Sequence, residues 1–173
     1  LSSGLVFVIL SGFSVENIDI KYLDDMLSIY LISLIFTSFA ISGVINSINI
    51  IDGFNGLASG SLILMFTGFA TIGWIIGDTV ILKLSIILAF IFFGFLVINF
   101  PFGYIFLGDS GAYLGGFLLS VVAILLPARN PEISAWGSFL ICLYPITETI
   151  FSIYRKIIRK GHHPSRPDRV HLH

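Results

Sequence analysis

Charge is scarce in this chain. Only 11% of its 173 residues are Asp, Glu, Lys or Arg, where a soluble domain carries roughly 25%. That shortage, with 56% hydrophobic residues and a mean hydropathy of +1.00, excludes an ordinary water-soluble globule. Cysteine is nearly absent as well. The single Cys142 lies in an apolar run, which excludes an internal disulfide and points to inert packing. No internal repeat and no low-complexity linker interrupts the chain. No basic flank precedes the apolar residues 5–13 and no small-residue cleavage site follows them. They therefore read as part of a membrane span and not as a signal peptide.

What is present is a series of apolar stretches, at about 1–13, 27–45, 57–76, 80–98, 112–126 and 135–154. A helix needs about 20 residues to cross a hydrocarbon core. The expectation is an all-α, polytopic membrane protein with about six transmembrane helices. The stretch at 112–126 is short and must extend through its small flanking residues or tolerate mismatch. The chain starts at Leu1 and stops at His173 within a charged segment, as a piece of a longer protein would. We expect one transmembrane domain over 1–173 and a basic, His-containing loop over 155–173.

Connections between successive spans alternate sides. One set is 14–26, 77–79 and 127–134; the other is 46–56, 99–111 and the tail from Arg155. The tail carries Arg155, Lys156, Arg159, Lys160, Arg166 and Arg169, whereas the first set has only Lys21 and Arg129 against six acids. Lys and Arg accumulate on the cytoplasmic side, so all three polar islands of the second set are expected in the cytoplasm.

Each island has the chemistry of a site and also a plainer reading. Asn46, Asn49 and Asp52 recur at threes, which puts them on one helical face, and Asn55 follows between Gly53 and Gly56. The same residues suit a capped turn. Asn99 and the run Phe106-Leu107-Gly108-Asp109-Ser110-Gly111 form the second island. Asp109 and Ser110 are expected as N-cap residues at a helix start that attracts anions. Asp109 also suits Mg²⁺, which takes a carboxylate or two plus phosphates and water. In the tail, residues 155–160 suit a positive anchor, while Arg169, His171 and His173 suit phosphate recognition. A zinc site from the four histidines is disfavoured, since their spacing offers no closed tetrahedral set. Asp24-Asp25 falls on the other side and reads as a solvated loop. Glu148 reads either as a hydrogen-bonded core residue or as cavity lining.

The ordered motifs Asn46-x-x-Asn49-x-x-Asp52-Gly53-x-x-Gly56-Leu57, Leu107-Gly108-Asp109-Ser110-Gly111 and Pro167-Asp168-Arg169-Val170-His171-Leu172-His173 resemble the polyprenyl-phosphate N-acetylhexosamine-1-phosphate transferases (glycosyltransferase family 4). The last motif looks more like the GlcNAc-1-phosphate branch than the muramoyl-pentapeptide branch. The resemblance implies transfer of N-acetylhexosamine-1-phosphate from a UDP-sugar to polyprenyl (undecaprenyl) phosphate, releasing UMP and initiating a cell-envelope polysaccharide such as O-antigen. It implies Mg²⁺, with Mn²⁺ as a substitute, held by Asp109 with Asn49 contributing. Asp52, Asp109, His171 and His173 would be catalytic; Asn46, Asn49, Asn55, Asn99, Phe106 and Arg169 would bind substrate. Asn55 often appears as Asp in the family, and Ala112 stands where Ser is commoner. Partners would be the polyprenyl phosphate lipid, a UDP-N-acetylhexosamine and membrane lipids, with no nucleic acid and with a homodimer left open. The place implied is the bacterial inner (plasma) membrane, with the active site facing the cytoplasm. An upstream acidic element of the family is missing here, so the 173 residues alone are expected to be inactive. The competing classes are a multi-pass transporter, which would place its polar groups nearer the midplane, and a non-enzymatic membrane subunit.

Overall fold

The computed structural model describes residues 2–160, side chains at 156, 157, 159 and 160 excepted. Among the described residues the regular structure is entirely helical: α1 (Ser2–Ser11), α2 (Lys21–Leu27), α3 (Tyr30–Ile51), α4 (Leu57–Ile76), α5 (Thr79–Asn99), α6 (Gly108–Arg129), α7 (Ala135–Ile141) and α8 (Leu143–Lys160). Helices α3 to α6 are each long and apolar enough to cross a membrane, and the bent pair α7–α8 makes up to five spans. The six expected crossings are therefore not all present as unbroken spans. Helix α1 has only 10 residues, and the stretch expected at 135–154 bends by 63°. Pro145 accounts for the bend: it has no N–H to give to the carbonyl of Ile141, and its ring crowds that carbonyl.

Two other boundaries moved. Helix α3 runs six residues past the expected end at 45, so Asn46 and Asn49 sit on regular helix. Helix α6 extends the short stretch at both ends, from Gly108 through Pro127 to Arg129, and so reaches spanning length.

Helix α3 packs on α6 and α4 packs on α5, with α1 and α8 against α3 and α7 against α6. The shared core holds Ile48 and Ile51 of α3, Phe66 and Phe69 of α4, Phe92 of α5 and Leu119 and Val122 of α6. The rings of Phe66 and Phe92 stack with centroids 5.9 Å apart. Outward-facing residues are equally apolar, among them Leu31, Phe39, Leu64, Phe90, Ile91 and Val97, as a lipid-facing surface requires. Several hydroxyls within the spans bond back one turn: Ser38 to the carbonyl of Leu34, Ser47 to Gly43, Thr67 to Ile63 and Ser120 to Gly116. In lipid this internal satisfaction removes the cost of a bare polar group.

Helix association in lipid relies on close backbone approach. A Cβ on Gly116 would lie 2.7 Å from the Cα of Ile45, and one on Gly4 would lie 2.8 Å from the Cα of Ser38. These glycines fix how near α6 and α1 come to α3.

One end of the bundle gathers residues 12–19, the α4–α5 turn and the start of α7. The Ser134 hydroxyl donates to Asp19, and the Trp136 Nε1 donates to the carbonyl of Ile18 at 2.8 Å. Asp78 caps α5 by accepting from the N–H groups of Val80 and Ile81 at 2.9 and 3.2 Å. It also accepts from Arg129 Nε at 2.9 Å and Asn130 Nδ2 at 3.0 Å. The guanidinium of Arg129 holds the Asp78 carboxyl well below the usual carboxylate range, aided by Asn130 and the cap N–H groups and opposed by burial. Asp24 accepts from the N–H of Ile18 at 2.7 Å, a loop-bracing contact at this same end.

Candidate functional site

The opposite end is built from the termini of α3, α4, α5 and α6. Helix α3 stops at Ile51 because Asp52 leaves helical geometry (φ −75°, ψ 33°) and glycines follow. Gly56 takes φ +80°, and a Cβ there would lie 3.0–3.2 Å from Phe100 and Leu96. Only glycine suits both the left-handed backbone and that space. The chain then re-enters helix as α4.

Asp109 lies inside the first turn of α6, not at its cap as expected; Leu107 holds the cap position. A carboxylate there complements the positive end of the helix. Its Oδ1 accepts from Asn49 Nδ2 at 3.0 Å, across 60 residues of sequence. The close approach of Gly116 to Ile45, two turns and one turn further into the membrane, makes this meeting possible. Both groups lie in the terminal turns of helices long and apolar enough to cross a membrane, with Asp109 exposed and Asn49 half-buried.

The neighbouring loops are stitched together. Asn99, the last residue of α5, accepts from the N–H of Gly56 at 2.5 Å and donates to the carbonyl of Ile105 at 2.7 Å. Asn55 Nδ2 reaches the carbonyl of Pro101 at 3.4 Å. Asn46 donates to the carbonyl of Ser42 at 2.7 Å, so its amide is partly used within α3. Phe106 is 76% exposed, on the segment that leads into α6. Asp52 is half-buried at the end of α3. The first two polar islands thus meet at one end. Arg169, His171 and His173 lie outside the described residues, and with them the zinc alternative. Glu148 is half-buried on α8, the helix that packs on α3.

Magnesium suits sites with few protein ligands, because it keeps water and takes substrate phosphate oxygens. Asp109 and Asn49 offer hard oxygens from two helices, which fits such a set. Among the described residues no cluster of three or more His, Cys, Asp or Glu stands ready for a metal held by protein alone. The starts of α4 and α6 lie at this same end, and helix N-termini are the kind of place that receives phosphate. A cavity of about 390 Å³ opens at the far end, between residues 12–19 and the α6–α7 turn. It lies away from these groups, and the chemistry favours the Asn49–Asp109 end.

Sequence reasoning missed three features: the double use of Asn99, the close approach of Gly116, and the Asp78–Arg129 tie. For the last, only the capping of α5 by Asp78 had a signal, since an Asp directly before an apolar run is an N-cap candidate. The other two depend on what faces what across helices.

Residues 1–127 match the family described as glycosyl transferase family 4. The chain is 29% identical over 170 residues to a probable undecaprenyl-phosphate N-acetylglucosaminyl 1-phosphate transferase of Bacillus subtilis, covering 97% of this chain and 47% of that protein. It is 30% identical over 118 residues to the phospho-N-acetylmuramoyl-pentapeptide-transferase of Staphylococcus carnosus, covering 68% of this chain and 36% of the relative. The protein of the same name from Staphylococcus aureus is 32% identical over 135 residues, covering 75% and 41%. The chain spans less than half the length of each of these relatives. No solved structure matches it.

Proposed function

The chain belongs to glycosyl transferase family 4, and from that premise we propose that the protein it represents transfers N-acetylhexosamine-1-phosphate from a UDP-sugar to polyprenyl phosphate. The work would be done at the cytoplasmic face of a bacterial inner membrane, as the first step of a cell-envelope polysaccharide. The observation that carries this reading is the contact between Asn49 and Asp109. It joins two motifs 60 residues apart at the membrane edge, where a lipid phosphate and a soluble nucleotide can meet.

In the reaction an oxygen of polyprenyl phosphate attacks the β-phosphorus of the UDP-sugar. The bond from that phosphorus to the bridging oxygen breaks, and UMP leaves with the electron pair. Phosphoryl transfer depends mainly on positioning and charge stabilisation. Asp109 and Asn49 would hold Mg²⁺ (or Mn²⁺), which when bound offsets charge on the diphosphate and on the departing UMP. Asp52, Asn55 and Phe106 would contact the nucleotide from the two stitched loops, with Asn46 one turn back on α3. The N–H groups that open α4 and α6 would receive phosphate oxygens. Arg169, His171 and His173 would engage the diphosphate or the sugar.

The test is an assay of the complete gene product in vesicles with polyprenyl phosphate and a panel of UDP-N-acetylhexosamines. The expected result is UMP release that needs both the lipid phosphate and a divalent cation. Absence of release with every sugar of the panel would refute the assignment.

A further inference from the structure

Asn99 is a buried polar side chain with two partners at this end of the molecule. It is 4% exposed, and both ends of its amide are used. Oδ1 takes the N–H of Gly56 at 2.5 Å and Nδ2 gives to the carbonyl of Ile105 at 2.7 Å. Its own carbonyl accepts from the N–H of Gly103 at 2.6 Å. One residue at the end of α5 thereby holds two loops. The first follows Asp52 and contains Asn55; the second contains Phe106 and runs into Asp109.

The amide suits this task because it carries a donor and an acceptor on one rigid plane. An aspartate would set a carboxylate oxygen against the carbonyl of Ile105. A leucine would leave both backbone groups without these partners. The surrounding fit is close: a Cβ on Gly103 would fall 2.6 Å from Asn55 Nδ2, so the second loop lies directly against the first.

We infer that Asn99 is a positioning residue: it fixes the separation between the loop of Asp52 and Asn55 and the loop of Phe106 and Asp109, and does so without touching substrate. This rests on the function proposed above, but its first readout does not. Spin labels at Phe54→Cys and Tyr104→Cys, in the full-length protein with every native cysteine, Cys142 included, replaced, report the loop separation with no substrate present. Asn99→Ala is expected to broaden and lengthen that distribution. Asn99→Asp keeps the side-chain volume, loses the donor, and is expected to do so less; it serves as the test should Asn99→Ala fail to insert.

In the transfer assay, both variants should lose kcat by about 10–100-fold, as small misplacements of reacting groups do, with any rise in KM for the UDP-sugar smaller than the fall in kcat. A label distribution identical to that of the unsubstituted protein overturns the inference, as does a loss confined to KM, which is the mark of a substrate contact. If the unsubstituted protein releases no UMP, the proposed function fails while the label measurement still decides the role of Asn99.

Discussion

At the residue scale the account turns on Asp109 and its neighbour. Asp109→Asn removes the carboxylate while preserving shape, so turnover should fall by about 10³-fold or more, as when a group that stabilises transition-state charge is lost. Membrane insertion should be unaffected, and a UMP-release assay beside a membrane-extraction control checks both. Asn49 donates to Asp109 and so orients it. Asn49→Ala should raise the Mg²⁺ concentration needed for half-maximal rate by about 10–100-fold, the usual cost of losing a group that orients a metal ligand.

At the other end Asp78 offers a test of stability with a definite sign in pH. Its carboxyl is held below the usual range by Arg129, so its contribution is fully present above the unfolded value of about 3.9. That contribution is lost as pH falls from there toward the lower folded value. Arg129 is 39% exposed, which lets water screen the pair. Asp78→Ala should therefore cost about 1–2 kcal/mol, much of it the lost cap. Thermal denaturation in detergent should show this deficit at pH 7 and a smaller one at pH 3.

At the scale of elements, the α3–α6 contact decides whether the site exists. Gly116→Ala would put a Cβ 2.7 Å from the backbone of Ile45, forcing the helices apart. A loss of about 1–3 kcal/mol is expected from such overpacking, together with a drop in activity beyond what stability explains. Denaturation midpoints and the transfer rate, measured on one preparation, would show it.

Much at this level was legible in the sequence. The cores of α3, α4, α5 and α6 follow from apolar length, and the pairing of islands at one end follows from counting crossings. The start of α6 was misplaced because Gly108 and Asp109 look like turn residues, and only packing shows that the helix already includes them. The break at Cys142 had a signal in Pro145 that hydropathy alone overrides. The hydrogen bonds of Asn99 to Gly56 and Ile105 were beyond reach, because an amide at a helix end looks the same whatever it faces.

For the whole molecule, the claim is that its polar loops gather at one membrane face while the ties through Asp78, Asp19 and Trp136 close the other. Those ties join residues 51 to 118 positions apart, and the Asn49–Asp109 contact joins residues 60 apart. Such pairings hold only if the spans alternate as the sequence suggests. The cytoplasmic assignment of the polar face then rests on the Lys and Arg of the tail.

Impermeant thiol labelling of single cysteines in vesicles of known orientation, on the full-length protein, tests this most directly. Phe54→Cys and Tyr104→Cys should both react from the cytoplasmic side only, and Glu132→Cys from the opposite side only. Reaction of positions 54 and 104 from opposite sides would contradict the account.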